Sequence, residues 1–219
     1  MVHLLAAGAA QGRDHLLGGR PCQDAFRILA DDDAAVAVVC DGCGSQPHSG
    51  VGAHLGAFMT ARAALRRRSR DGRLDLDGLR AELLAGLAAV AWTAGLGLRE
   101  HLLFTIVAAV LSGGRAVVFS CGDGVVAVDG AVRRLGPFPG DAPPYLAYGL
   151  EGGDARFGLL YDGPATLVLI GTDGAADLDL PSLWSDGRCW VNPDTVRRRL
   201  TLSRPRDDAA VALIKESHG

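Results

Sequence analysis

Five aspartates stand where apolar runs begin or end in this chain of 219 residues. They are Asp24 in Pro21-Cys22-Gln23-Asp24, Asp41 in Val38-Val39-Cys40-Asp41-Gly42, Asp123 in Ser120-Cys121-Gly122-Asp123-Gly124, Asp173 in Gly171-Thr172-Asp173-Gly174, and Asp207 in Arg206-Asp207-Asp208. A carboxylate just past a buried strand sits at the rim of a sheet. Several gathered there repel one another unless a cation neutralises them, and hard divalent ions such as Mg²⁺ and Mn²⁺ prefer oxygen ligands. The pattern predicts a metal-dependent enzyme acting on phosphate. Taken singly, each Asp-Gly is ordinary turn chemistry, so the reading rests on the set.

Such a rim needs strands to build it. Apolar runs predict strands over residues 2–9, 25–30 and 35–40, the last a continuous buried run that stops at Asp-Gly. The period then changes. Val51, Leu55, Phe58, Met59, Arg62 and Leu65 fall at helical spacing and predict a helix over 49–68, broken at Asp71-Gly72. A second helix over 75–94 puts Leu76, Leu79, Leu83, Leu87 and Val90 on one face. Hairpins follow over 105–111 with 115–120, across Ser112-Gly113-Gly114, and over 125–128 with 131–135, across Asp129-Gly130. Residues 136–151 are rich in proline and glycine and read as an irregular surface segment. Strands over 157–161 and 166–170, a short helix opened by Asn192-Pro193-Asp194 and running through Leu200, and a last strand over 209–214 complete the chain. Strands and helices are grouped rather than strictly alternating, which predicts an α+β layered domain. No dinucleotide-binding or P-loop pattern is present.

Composition narrows the function. Apolar residues make up 48% of the chain, enough for a sizeable core in a single domain over 1–219. The net charge of −3 argues against a nucleic-acid partner. No apolar run reaches the roughly 18–20 residues that span a bilayer. Met1-Val2-His3-Leu4-Leu5-Ala6 lacks the basic flank and apolar core of a signal peptide, so a cytoplasmic setting is expected. The five cysteines then read as free thiols. Cys40-x-x-Cys43 has no second pair at zinc-site spacing and reads as a buried strand-end residue followed by a small turn residue.

The ordered set Gln23-Asp24, Asp41-Gly42-x-Gly44, Gly122-Asp123-Gly124, Thr172-Asp173-Gly174-x-x-Asp177 and Arg206-Asp207-Asp208 resembles the metal-dependent Ser/Thr protein phosphatases of type 2C, over nearly the whole chain. Gly19-Arg20-Pro21-Cys22-Gln23-Asp24 and Pro144-Tyr145-Leu146-Ala147-Tyr148 are similar to a compact bacterial branch of that family. The resemblance implies a four-layer α-β-β-α sandwich with two central antiparallel sheets. It implies two Mn²⁺ or Mg²⁺ ions, with Asp41 bridging them, Gly42 lending its carbonyl oxygen, and Asp173, Asp207 and Asp24 completing the site. Asp123 and Asp177 match positions that hold a third ion in related enzymes. The implied reaction is in-line attack of a metal-activated water on phosphoserine or phosphothreonine of a protein, with Asp41 and Asp173 central to catalysis. An opposing Ser/Thr kinase follows by analogy alone.

The chain also departs from that pattern. The family's phosphate-binding arginine stands five residues before the Asp24 position, where this chain has Gly19; Arg20 follows it and is the candidate here. Gln23 replaces a glutamate found in some relatives, which removes a charge near the metals. Cys43 stands where some relatives carry a general-acid histidine; His48 is the candidate substitute, with a loop role as the alternative. His15 and His54 read as structural or exposed. Leu103-Phe104-Thr105 keeps only part of a family Gly-Thr-Thr segment. Arg66-Arg67-Arg68-Ser69-Arg70 and Arg197-Arg198-Arg199 read as solvated helix surfaces, the first with phosphopeptide docking as the lesser alternative. These departures motivate a second reading, a non-catalytic phosphatase-like binding module. A third is a phosphatase of a small phosphorylated metabolite.

Overall fold

A computed structural model of the chain describes residues 2–69, 72–192 and 194–217. The predicted break at Asp71, and with it Arg70 and Pro193, lies outside the described residues. In chain order the elements begin with β1 (Val2–Ala10), α1 (Arg13–Leu17), β2 (Ala25–Ala30) and β3 (Ala35–Cys40). Three helices follow, α2 (Ser49–Arg67), α3 (Leu76–Ala94) and α4 (Leu98–His101). Then come β4 (Ile106–Ser112), β5 (Arg115–Cys121), β6 (Gly124–Val128), β7 (Ala131–Leu135), β8 (Gly158–Pro164) and β9 (Leu167–Gly171). The chain closes with α5 (Leu180–Ser185), α6 (Gly187–Val191), α7 (Asp194–Ser203) and β10 (Ala209–Ser217).

The strands form two five-stranded antiparallel sheets, ordered β1-β10-β9-β6-β7 and β2-β3-β4-β5-β8. Period-two alternation assigns their faces. In the second sheet Val36, Val38, Ile106, Ala108 and Val110 face α2 and α3, while Ala35, Ala37, Val39, Val107, Ala109 and Leu111 face the other sheet. In the first sheet Ala210, Ala212 and Ile214 of β10 point inward. Val211 and Leu213 point outward, to Val196 and Leu200 of α7 and Leu180 and Leu183 of α5. The result is the expected α-β-β-α order of layers. Both inner strands β3 and β10 are buried on two faces, which is why they read as continuous apolar runs rather than alternating ones.

One expectation about packing fails. The periodic large residues of α2 do not form its buried face: Val51 and Phe58 are exposed, and Gly52, Ala53, Gly56, Ala57, Thr60, Ala61 and Ala64 are buried instead. The helix lies too close to the sheet for side chains of any size. A Cβ built on Gly56 would meet the ring of Phe104 at 2.1 Å. The larger residues Met59 and Leu65 are partly buried at the edge of this cluster, and Phe58 stacks under Arg27 and Arg62. In α3, by contrast, Leu79, Leu83 and Leu87 are buried as predicted, behind an N-cap in which Asp75 accepts from the Gly78 N–H at 3.0 Å.

Three further differences have local causes. The short helices α1, α4, α5 and α6 were not predicted, since four to six residues carry too little periodicity to read. Residues 136–151 contain two 3-10 turns, Pro139–Asp141 and Leu146–Glu151, and Leu146 and Ala147 are buried in the cluster beneath α3. The basic run at the end of α2 is paired as well as solvated: Arg66 and Arg67 bond to Glu82 of α3, and Arg68 to Asp31 at 2.8 Å. In the second run Arg197 and Arg198 pair with Asp194, and Arg199 with Asp186. Among the described residues no helix is long and apolar enough to cross a membrane.

Candidate metal centre

One end of the sandwich gathers the carboxylates. Ala25 and Cys40 are partners across β2 and β3, so Asp24 and Asp41 flank neighbouring strand ends. Gly171 pairs with both Val211 and Val125, which brings the ends of β9, β10 and β6 together, and with them Asp173, Asp207 and Asp123. The chain crosses from one sheet to the other at Gly122-Asp123. Gly122 holds φ at +112°, and a Cβ there would lie 2.6 Å from Thr105, so the Gly-Asp-Gly sequence is a requirement of the crossing.

Asp24, Asp41, Gly42, Asp123, Asp173 and Asp207 all line a single polar cavity of about 150 Å³. Cys43, Gly44, Thr105, Pro143, Tyr145, His15 and Asp208 complete its wall. Thr172 bolts the two sheets together beneath it: its hydroxyl donates to Asp24 Oδ2 at 2.6 Å and accepts from Ala210 N–H at 2.9 Å. Thr105 donates its N–H to the Asp41 carbonyl at 2.8 Å, fixing the turn that carries Gly42.

The electrostatics are those of like charges in a confined space. Burial, then the neighbouring Asp24 and Asp173, push the Asp41 carboxyl well above its ordinary range. Burial raises Asp24 to about 8, with Asp208 and Asp173 adding to it and the Thr172 hydroxyl opposing. Burial and Asp173 raise Asp123 to about 6. Such a cluster holds protons until something more positive displaces them, and ligand carboxylates release theirs when a metal binds. The donor set consists of carboxylate oxygens and a carbonyl, which suits a hard divalent ion. The same burial raises Cys40, so its thiol stays protonated, and all five cysteines are free.

Not every candidate arrives. Asp177 is exposed and turned away: its Oδ1 accepts from Arg134 Nη2 at 2.7 Å, and it does not line the cavity. His48 faces outward as well, stacked on His101 at 5.4 Å with Glu100 at 3.6 Å, away from the cavity wall. Arg20 does arrive at the mouth, where Nη2 donates to the Gly44 carbonyl at 2.5 Å. Gln23 is buried and acts as a brace rather than a missing ligand. Its Nε2 donates to the Gln46 carbonyl at 2.6 Å, which a glutamate could not do, and its Oε1 accepts from Arg20 at 3.3 Å.

Two residues at the cavity escaped the sequence reading. Asp208 is buried, with Oδ1 accepting from Gly12 N–H at 2.7 Å and Oδ2 from Gln23 N–H at 2.6 Å. His15 is buried with it, Nδ1 lying 2.6 Å from Asp208 Oδ2, although the N–H direction is off that line. The ligand atoms of His15, Asp207 and Asp208 all lie within 4.8 Å of one another. The only signal available was the doubling of Asp207-Asp208, and His54, grouped with His15 in the sequence, is exposed on α2.

A two-sheet sandwich with a carboxylate cavity between strand ends is the architecture of a metal-dependent phosphatase. The family model described as protein phosphatase 2C matches residues 11–143, and the chain belongs to that family. Its fold is similar to Ser/Thr phosphatase Stp1 from Staphylococcus aureus, at 13% identity and TM-score 0.64, covering 100% of this chain and 96% of that one. It is similar to the catalytic domain of PstP in complex with two manganese ions, at 14% identity and TM-score 0.59, covering 98% and 99%. It is also similar to RsbX in complex with magnesium, at 17% identity and TM-score 0.60, covering 98% and 96%. No curated protein matches the sequence.

Proposed function

We propose that this chain hydrolyses phosphoserine or phosphothreonine on proteins, using two Mn²⁺ or Mg²⁺ ions held by Asp24, Asp41, Gly42, Asp173 and Asp207. The observation that carries this reading is the convergence of these residues on one polar cavity, together with the upward displacement of Asp24 and Asp41 that a cation would relieve. The ions of the manganese-bound and magnesium-bound relatives support the choice of metal.

Bound ions would supply an acidified water as nucleophile and offset charge on the phosphoryl oxygens. The chain's own residues do the rest. Asp41 interacts with both Asp24 and Asp173 and would hold the ions together with them. Thr172 and the Thr105 N–H hold Asp24 and the Asp41 turn in place, so the oxygens are set before any ligand arrives. Arg20 at the mouth receives the phosphoryl group. Asp123 contributes an outer carboxylate for a third ion, without Asp177, which Arg134 holds outside.

We read residues 1–219 as one phosphatase domain, because both sheets share a single inner layer of side chains. A cytoplasmic setting, in which its free thiols persist, fits the same reading, as does a kinase that supplies the phosphoprotein. The second reading, a phosphatase-like binding module, is favoured by one observation: Cys43 lines the cavity where a proton-donating histidine would serve.

Hydrolysis of a phosphopeptide panel with and without Mn²⁺, in wild type and Asp41→Asn, tests the proposal. Mn²⁺-dependent release of phosphate that Asp41→Asn abolishes is expected. Absence of any Mn²⁺-dependent turnover would leave the binding module standing. Turnover confined to phosphorylated metabolites would move the substrate class.

A further inference from the structure

We infer that His15 is a positioning residue that fixes the Arg20 guanidinium at the mouth of the metal cavity for a phosphoryl group. The inference rests on the phosphate-binding role proposed above for Arg20. Its starting point is a contact that the metal chemistry does not use: His15 Nε2 lies 2.7 Å from Arg20 Nη2.

That contact settles the tautomer. A guanidinium has no acceptor, so Nε2 must offer its lone pair and the ring proton sits on Nδ1. Nδ1 is the nitrogen that faces Asp208 Oδ2, 2.6 Å away. Asp208 in turn is pinned by the backbone N–H groups of Gly12 and Gln23. Packed groups therefore run from buried backbone through Asp208 to His15 and the arginine, with the Nδ1–H beside Asp208 Oδ2 but not aligned on it. Helix α1, which carries His15, is itself stitched to the segment before Asp207: Arg13 N–H donates to the Pro205 carbonyl and Asp14 N–H to the Arg206 carbonyl, both at 3.0 Å.

The geometry also explains how Arg20 stays available. Its side-chain contacts, to His15, Gly44 and, at 3.3 Å and sharing a proton, Gln23, all use the single nitrogen Nη2. Among the described residues Nε and Nη1 hold no partner, which leaves N–H donors for a phosphoryl oxygen. A free arginine on an exposed segment would lose side-chain entropy each time it gripped a ligand. Anchoring one nitrogen removes part of that loss beforehand. His15 is not counted as a metal ligand here, because Nε2 faces Arg20 and both Asp208 oxygens already accept backbone bonds.

The test uses the full chain saturated with Mn²⁺, with inorganic phosphate as the probe. Its affinity is read by calorimetry, and kcat and KM with p-nitrophenyl phosphate. His15→Asn keeps an amide N–H for Asp208 but has nothing at the Nε2 position. His15→Gln places an amide oxygen close to that position. Arg20→Ala and His15→Asn should each weaken phosphate binding and raise KM about tenfold, the scale of one charge-assisted hydrogen bond, with kcat changed much less. The double variant should be no worse than either single one, and His15→Gln should recover most of the loss. Thermal melts confirm that each variant is folded.

Unchanged phosphate affinity in His15→Asn, beside a loss in Arg20→Ala, would overturn the inference alone. Losses that multiply in the double variant would also overturn it. Unchanged phosphate affinity in Arg20→Ala would overturn the role of Arg20 and the inference with it. Failure of the phosphatase reading would show differently, as phosphate binding without turnover in wild type.

Discussion

The two ends of the sandwich solve the same problem in opposite ways. At each end a buried carboxylate links the two sheets. At the far end Glu216 of β10 lies opposite His3 of β1, with Nε2 at 3.3 Å from Oε1, and its Oε2 accepts from the Gly114 N–H of the β4–β5 hairpin at 2.6 Å. That carboxylate is held by a backbone donor through Oε2, with the His3 ring close to Oε1 but not hydrogen-bonded to it. At the near end Asp24, Asp41, Asp123 and Asp173 meet mainly one another. The far end is arranged for stability. The near end leaves its carboxylates uncompensated, which is costly for buried charge unless it is paired or coordinated, and the proposed cation would offset that cost.

The largest effect that would break this comparison is on Asp41. Asp41→Asn should lower Mn²⁺-dependent turnover by about a thousandfold or more, since removing a metal-holding group forfeits most of the catalytic stabilisation. In metal-free protein at pH 8 the same change should raise the melting temperature by about 3–6 °C, because it removes a buried carboxyl that burial and its acidic neighbours disfavour in the charged form. Differential scanning calorimetry without metal checks the sign. A lower melting temperature would mean that the rim is not under electrostatic strain.

Glu216→Ala should do the reverse. It leaves the Gly114 N–H without its acceptor and should cost about 1–2 kcal/mol in urea unfolding. Turnover per folded molecule should be unchanged, as Glu216 lies at the far end. Loss of turnover in folded protein would contradict the division between the ends.

The pH dependence of metal-free protein sharpens the contrast. Asp24 rises from 3.8 to about 8 on folding, so the folded state binds its proton more tightly than the unfolded one. Its contribution to stability is complete below about pH 4 and is lost as pH rises through 8. Melting temperature without metal should therefore fall between pH 5 and 8. Saturating Mn²⁺ should flatten that fall, and Mn²⁺ affinity should rise over the same window as protons are displaced. A flat metal-free profile would remove the argument for a cation at Asp24.

The smallest effect belongs to Asp177. Asp177→Ala should change turnover by less than about twofold, because an exposed ion pair contributes little and its side chain is outside the cavity. A large loss, measured at low metal concentration, would restore it as a ligand.

What the sequence revealed of this molecule follows from where information is local. The rim aspartates were legible because each begins or ends a run whose period and burial are set by the neighbouring strand. The leucine face of α3 was legible for the same reason. The buried face of α2 was not, because close approach to Phe104 selects small residues, and small residues leave no hydrophobic periodicity. Asp208 and His15 were hidden differently. Their roles depend on Gly12, Gln23 and Arg20, contacts made across the fold, and a lone histidine carries no local mark of its neighbours. The bracing role of Gln23 was hidden in the same way, because only its bond to the Gln46 carbonyl shows it. Asp177 fitted a family position in the sequence, while Arg134 on β7 decides where its side chain goes.

The proposed function stands or falls on a cation held at the near end around Asp41. Diffraction from crystals soaked in Mn²⁺, recorded for manganese anomalous scattering, addresses it directly. Anomalous peaks are expected inside the cavity, between Asp41 and Asp173 and within bonding distance of Asp24 or Asp207, that vanish in Asp41→Asn. An empty cavity at saturating Mn²⁺, or peaks that persist without the Asp41 carboxylate, would contradict it.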